Sequence, residues 1–572
     1  AEGSFGQGAA LMAAVSEDHS LQFKNLCGML VLRLCGSGTV QSVTIKGNSG
    51  ELLAGTAQVT FSDGVPSLTM LAAGASEAVV LDCGGVSLSE TEAVEFWVAL
   101  PPSSFVKGFT AIVTDTGGRN AEVASARALE IKRSTVSRMA PLQLSFVQPV
   151  DAQVGQTLPQ WQPGYLDIHS INGGRGEAFY YIMPDGTTML VDAAGAPPTE
   201  LYTYSDSQGV PSRPDYQHSS GSVIVNYIRH FAPPVAGGGL DYFLTSHYHG
   251  DHIGSWRNNY ADFGWTAYDK NGSMVGTVNL NNGGFVCNGI AEVGMSIPID
   301  KVLDRGDWSN RPSADYFTTS GQRRYQCYEN FLDYSARTYG TVREKLAIGH
   351  TDQMVLKHRP SDYPGFSIRT IASGGDIWTG SGTSVNTTYV PSAADCAANY
   401  EDYAINENIF SNVIHLSYGR FDWFSGGDIQ FSGKSTYSWK DIELPISKVM
   451  KKVEAMKASH HSTKNTNSTE LLGVLKPDVY IAGVWRDVQP NAATLKRVLK
   501  ASPNVKIFTT NLDSGNIGTL TSEGINVNSF ACTGGHVVIR VLPGGNFYYV
   551  YVLDDTDFLY KVKSVHGPYS CQ

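Results

Sequence analysis

The stretch Leu244-Thr245-Ser246-His247-Tyr248-His249-Gly250-Asp251-His252-Ile253-Gly254 closes the apolar run Tyr242-Phe243-Leu244 and decides how the chain is read. Three imidazoles and a carboxylate fall within six residues, His247 to His252. These are the N and O donors that zinc, manganese or iron take. Gly250 lets the loop bend between them. The apolar run reads as a strand, so the donors sit on a loop fixed by a rigid element, where functional residues concentrate. A surface loop that is merely rich in histidine is the other reading; the density of donors favours a metal site.

Upstream, Val223, Ile224, Tyr227, Ile228 and Phe231 share one face of a helix predicted between Ser220 and Pro233, and Gly237-Gly238-Gly239 leads from it to the strand. Strand, helix and strand in that order suit a layered α/β fold. Downstream, two alternating segments, Val413-Ile414-His415-Leu416 and Phe421-Asp422-Trp423-Phe424, end in Gly426-Gly427-Asp428. The glycines allow close backbone approach and the aspartate presents a carboxylate at a strand tip. Met456-Lys457-Ala458-Ser459-His460-His461-Ser462-Thr463 then supplies a second imidazole pair, as ligands or as a solvated pair. Val479-Tyr480-Ile481 and Val505-Lys506-Ile507-Phe508 read as strands, Ala492 to Lys500 as a helix, and the apolar runs flanking Pro543-Gly544-Gly545-Asn546 as a final hairpin.

The His-x-His-x-Asp-His pattern resembles the signature of the metallo-β-lactamase superfamily, whose members activate water with one or two metal ions. Leu166-Asp167-Ile168-His169, Gly173-Gly174-Arg175-Gly176-Glu177-Ala178, Pro184-Asp185-Gly186 and Met189-Leu190-Val191-Asp192 are similar to its opening hairpin. Asn408, Ser411, Gly427-Asp428 and the Lys457 to Ser462 motif are similar to the ComEC-like branch, with Ser462 where that branch has glycine. The resemblance spans roughly residues 166 to 524, with insertions. It implies an αββα sandwich over residues 164–572 with a large insertion at about 256–400. It implies metal ligands His247, His249, Asp251, His252, Asp428 and His460, with zinc or manganese, or iron, as the ion. His461 is implied as a further ligand or as the group contacting the leaving oxygen, and Asp192 as a brace for the metal loop. Asp251 and Asp428 would hold metal and water while His461 donates a proton.

Many two-metal members carry one more histidine before the bridging aspartate, and no clear equivalent stands here. The position with His247 and His249 is thus expected to be incomplete, and one or two ions remain open. His350 and His358 are lone candidates for it, though lone histidines are more often structural, and His415 reads as structural. The implied chemistry is hydrolysis by metal-bound hydroxide, on a phosphodiester of nucleic acid or of a small molecule. A lactone or lactam is the runner-up, and a surface-binding protein with a closed structural metal site is the reading from another class.

The chain has 572 residues, 42% of them hydrophobic, enough for two or more domains. Its net charge of -11 is spread over only 17% charged residues, which argues against a broad nucleic-acid-binding face. Residues 1–140 read as an all-β sandwich: Leu30, Leu32 and Leu34 alternate with Val31 and Arg33, and Val43 and Ile45 with Thr44 and Lys46. Turns fall at Gly36-Ser37-Gly38, Gly47-Asn48-Ser49-Gly50 and Gly117-Gly118. Leu21 to Leu30 and Val43 to Asn48 resemble the fimbrillin-like modules of Bacteroidetes surface lipoproteins. That implies export to the periplasm, cell surface or medium, with a lipidated leader already removed, and a role as spacer or adhesion module. Residues 141–163, with Pro149 and Pro159, read as the linker. No apolar run reaches the length of a membrane-spanning helix. The eight cysteines form no Cys-x-x-Cys pair; disulfides and buried free thiols are both compatible with them.

Overall fold

The computed structural model describes residues 11–116, 119–144, 146, 152–196, 210, 213–387, 406–431 and 441–571. The chain divides into two compact units, Ala1–Asp151 and Ala152–Gln572. The division falls inside the stretch read as a linker. Its later part belongs to the second unit: Leu158 and Trp161 are buried, and the Trp161 Nε1–H donates to the Tyr165 carbonyl at 2.6 Å.

In the first unit, Gly28–Cys35 pairs with Val94–Leu100 and with the short strands Val136–Arg138 and Leu142–Gln143, while Thr39–Gly47 lies between Phe109–Asp115 and Ala78–Ser87. Leu30, Leu32 and Leu34 from the first sheet share a core with Val43, Ile45, Ala111 and Val113 from the second. This is the period-two burial of a sandwich. Val31 is also buried, so the alternation is not strict. The Gly117-Gly118 turn lies outside the described residues.

The second unit is built on two large sheets. One has nine strands in the order Val342–Lys345, Ile299–Asp304, Leu240–Leu244, Thr188–Val191, Phe179–Ile182, Leu166–Ser170, His536–Val541, Phe547–Leu553 and Val562–Ser570. The other has eight: Val385–Asn386, Asp376–Trp378, Phe366–Ser373, Val413–Tyr418, Phe421–Ser425, Ala455–Lys457, Val479–Ala482 and Lys506–Thr509. One core holds Leu166, Ile168, Val191 and Leu244 from the first sheet with Ile414, Trp423, Ala455 and Ile481 from the second, so the sheets pack face to face. The opposite side of the second sheet, through Val413, Phe424, Met456 and Tyr480, packs on helices Thr469–Leu475 and Ala492–Ala501 by Leu471, Leu472, Leu495 and Val498. On the first sheet, His169 packs against Tyr227 and Phe231 of helix Ser220–Phe231. The layers are therefore helix, sheet, sheet, helix.

Local signals set the edges of these elements. Ser219 caps helix Ser220–Phe231 by accepting the Ser222 N–H at 3.1 Å, and Pro233 follows the C-cap Ala232. The stretch 256–400, read as an insertion, divides. Ile299–Asp304 and Val342–Lys345 extend the first sheet, and Phe366–Ser373 and Asp376–Trp378 the second. Added structure comprises the small sheet of Thr266–Tyr268, Met274–Val275 and Phe285–Cys287, together with helix Thr319–Tyr339. Residues 388–405 of that stretch lie outside the described residues. The expected C-terminal hairpin closes the first sheet against Leu166–Ser170 and is followed by a further, largely exposed strand, Val562–Ser570. Seven cysteines are free thiols and Cys396 is outside the described residues. No helix among the described residues is long and apolar enough to cross a membrane.

Candidate metal centre

Four strands deliver the site from their C-terminal ends. Thr188–Val191 leads to Asp192, Leu240–Leu244 to the metal loop, Phe421–Ser425 to Asp428, and Ala455–Lys457 to His460 and His461. Carboxyl ends of parallel strands are where open α/β sheets place their ligands.

The Asp428 carboxylate is the hub. Its Oδ2 lies 3.2 Å from His252 Nε2, 3.3 Å from His461 Nε2, and 3.9 Å from both His247 Nε2 and His460 Nε2. Asp251 Oδ2 stands 3.3 Å from His461 Nε2 and 3.7 Å from His252 Nε2. The four carboxylate–imidazole contacts among these side chains thus span 3.2 to 3.7 Å. Donors on a tetrahedral ion at about 2.05 Å lie roughly 3.3 Å from one another, so the spacing suits a zinc-sized ion. A second group adjoins it: His247 Nε2 faces His249 Nδ1 at 3.0 Å and shares Asp428. Glu177 also reaches the cluster with His252, Asp428 and His461. Its Oε2, however, stands 2.7 Å from the Lys457 ammonium, which makes it the counter-charge of Lys457.

The donor chemistry fits a cation. His461 Nε2 and Asp428 Oδ1 are buried and make no well-formed hydrogen bond. Burial opposes the charge of His461, but the Asp428 and Glu177 carboxylates outweigh it and push the imidazole up to about 10. Burial likewise opposes ionisation of Asp428, yet His252 and His461 hold it well below the usual carboxylate range. His252 is raised in the same manner by Asp428, Asp251 and Asp192 against its burial. Without an ion, the carboxylates draw protons onto their own imidazoles; a divalent ion would take the place of those protons. His247 is pushed down by burial and by neighbouring His252, which keeps its ring neutral.

Asp192 fixes the loop with both oxygens. Oδ2 accepts from His252 Nδ1 at 2.7 Å and Oδ1 from the Ser246 N–H at 2.8 Å. With Nδ1 held by Asp192, His252 points Nε2 toward Asp428, the orientation a ligand needs once an ion replaces its proton. Gly427 has φ +56°, and a Cβ there would stand 2.9 Å from the Ser411 Cβ. Only glycine lets that turn carry Asp428 inward, while Ser411 Oγ accepts the Asp428 N–H at 3.0 Å.

The structure places the two histidines of the pair differently. His461, implied as a further ligand or as the group contacting the leaving oxygen, is buried; its Nδ1 donates to the Gly483 carbonyl at 2.9 Å and its Nε2 enters the cluster. His460, favoured as the ligand, stays 28% exposed beside the Asn408 amide. The reason is backbone geometry. His460, His461 and Ser462 are all left-handed, at φ 47°, 53° and 63°, which turns successive side chains apart. Such strain collects at functional sites and persists only where the surroundings enforce it; Tyr480 OH, 2.9 Å from Ser462 Oγ, is part of that enforcement. Lys457 is sealed in by Glu177 and the Gly427 carbonyl. His350 pairs with Asp352, His358 stands 4.0 Å from Asp241, and His415 pairs with Asp422; none belongs to the cluster. The sequence offered no sign of a role for Glu407, whose Oε1 accepts the Tyr248 N–H at 3.2 Å while its carboxylate holds buried Arg305.

No family model and no curated protein matches this sequence. Among solved structures, the metallo-β-lactamase fold protein YhfI of Bacillus subtilis aligns with 66% of this chain and 100% of its own, at 11% identity and a TM-score of 0.27. Zn(2+)-bound PqqB of Methylobacterium extorquens aligns with 65% of this chain and 99% of its own, at 10% identity and a TM-score of 0.25. At such values the architecture rests on the chain's own elements. Two face-packed sheets, helices outside them, and donors gathered at the strand ends make the second unit a metallo-β-lactamase-type αββα sandwich.

Proposed function

We propose that the second unit is a metal-dependent hydrolase acting on phosphodiesters. The observation that carries the reading is the clustering of His252, Asp428 and His461, with Asp251 against His461, beside His247 and His249. When bound, a zinc or manganese ion lowers the pKa of a coordinated water to about 7 and so supplies a nucleophile at neutral pH. Asp192 sets the tautomer of His252, Ser411 fixes the turn that carries Asp428, and Lys457 offsets the negative charge of Glu177 and Asp428. His460, partly exposed and beside the Asn408 amide, is the group placed to meet a leaving oxygen.

The phosphodiester preference is supported by the ComEC-like pattern of Asn408, Ser411, Gly427-Asp428 and His460-His461. The net charge of -11 disfavours long polyanions and favours small or single-stranded substrates over duplex DNA. A panel of chromogenic phosphodiesters, lactones and β-lactams, assayed with added zinc and manganese, tests it. Turnover of phosphodiesters is expected. Turnover confined to lactones or lactams would replace the substrate class, and none by metal-loaded protein would leave a binding protein with a closed metal site.

A further inference from the structure

The second metal position, His247 with His249, lacks the further histidine of two-metal relatives, and the structure brings an acidic residue to that side from the added segment. Asp315 Oδ2 stands 3.4 Å from His249 Nε2, the nitrogen opposite the one that faces His247. Asp315 is itself held: the Arg324 guanidinium lies 2.5 Å from the same oxygen, and Arg324 Nε donates to the Tyr248 carbonyl at 2.9 Å. One arginine therefore ties the carboxylate to the backbone of the metal loop.

The arm that carries Asp315 is anchored. Asp315 lies in the 3-10 turn Ala314–Phe317, directly before helix Thr319–Tyr339. Thr318 caps that helix by accepting the Gly321 N–H at 3.0 Å. Neighbouring Tyr316 packs edge-on against Trp308, which is fully buried and donates its Nε1–H to Glu407 at 2.9 Å. Glu407 in turn accepts the Tyr248 N–H. Both the N–H and the carbonyl of Tyr248, the residue between His247 and His249, are thus fixed by side chains from outside the loop.

Building on the metal-hydrolase reading, we infer that Asp315 is a positioning residue for His249: its carboxylate beside Nε2 favours the ring proton on that nitrogen and leaves Nδ1 facing His247, so that the added segment completes a second metal position. A carboxylate behind a ligating histidine fixes its tautomer and raises its basicity.

The test is a chelator-competition titration of the full chain with zinc, reading stoichiometry and affinity, with cobalt(II) absorption as an independent signal. Wild-type protein is expected to bind two ions, and Asp315→Asn to weaken the second about 10- to 100-fold while leaving the first unchanged. Asp315→Glu should restore part of the loss, and His249→Ala should abolish the second step altogether. Two ions bound equally well by Asp315→Asn and wild type would overturn the inference alone. A single ion in wild type, lost in neither Asp315→Asn nor His249→Ala, would overturn it too. No metal bound by wild type would overturn the inference together with the hydrolase reading.

Discussion

The Lys457 ammonium stands 2.7 Å from Glu177 Oε2 and 3.7 Å from Asp428 Oδ1, with all three side chains almost wholly buried. A lysine beside a His-His pair invites the reading of a phosphate contact, but this one is spent inside the protein. Burial opposes its charge, and the Glu177 and Asp428 carboxylates hold it above the ordinary lysine value. Lys457→Met should therefore destabilise the protein by roughly 3–5 kcal/mol, because Glu177 is left as an uncompensated buried charge. The double variant Glu177→Gln with Lys457→Met should recover much of that loss. Urea unfolding of the metal-free proteins measures both; a single variant as stable as wild type would show that the pair is not a buried ion pair.

The inward turn of His461 separates it from its neighbour. His461→Ala should lower zinc affinity by at least the 10- to 100-fold that loss of an outer partner typically costs. His460→Ala should change affinity far less and act mainly on turnover. Equal metal loss in the two variants, measured by competition with a chromogenic chelator, would mean that His460 is a ligand of the same standing.

Each unit has its own core: Leu30, Val43 and Ala111 in the first, and Leu166, Trp423 and Ile481 in the second. Among the described residues, the grouped candidate ligands all lie after Ala152. A chain beginning at Ala152 should fold, bind zinc as tightly as the full chain and keep its hydrolytic activity. Loss of metal binding by a folded chain of this length would tie the first unit to the site.

What was legible in the sequence was whatever lies close together in the chain. His247 to His252 declare themselves because one loop carries four donors, and Gly426-Gly427-Asp428 because glycines mark a tight turn beside a carboxylate. Alternation gave the strands of both sheets near the motifs. The edge strands inside 256–400 were hidden by irregular polar sequence, since Val342–Lys345 is a half-exposed strand with three charged residues in its four. Asp315 and Glu407 were invisible for another reason. Their roles depend on contacts made only in three dimensions, such as Glu407 reaching Tyr248 across 159 residues, and an isolated acidic residue carries no local signature. The order of His460 and His461 depended on left-handed backbone, which the pair itself does not signal.

Acid stability depends in part on a histidine away from the metal cluster. His536 is buried among Tyr227 and Tyr560, with ring centroids 4.7 and 5.5 Å away, and its Nδ1 accepts the Asn172 N–H at 2.9 Å. That hydrogen bond requires an unprotonated Nδ1. Burial, reinforced by nearby His169, pushes the imidazole down to about 3. An unfolded chain protonates the same ring near pH 6.5. Below that pH the unfolded state binds a proton that the folded state refuses, so the contribution to stability is complete above about 6.5 and is lost as the pH falls toward 3. The limiting slope from one such group is about 1.4 kcal/mol per pH unit. His536→Gln keeps an acceptor for Asn172 that does not titrate. Urea unfolding of metal-free wild type and variant between pH 7.5 and 5, taken as a difference, removes the shared contribution of His252 and His461. Wild type should lose stability relative to the variant by about 1 kcal/mol for each pH unit below 6; a difference that stays constant across this range would show that His536 does not resist protonation in the folded protein.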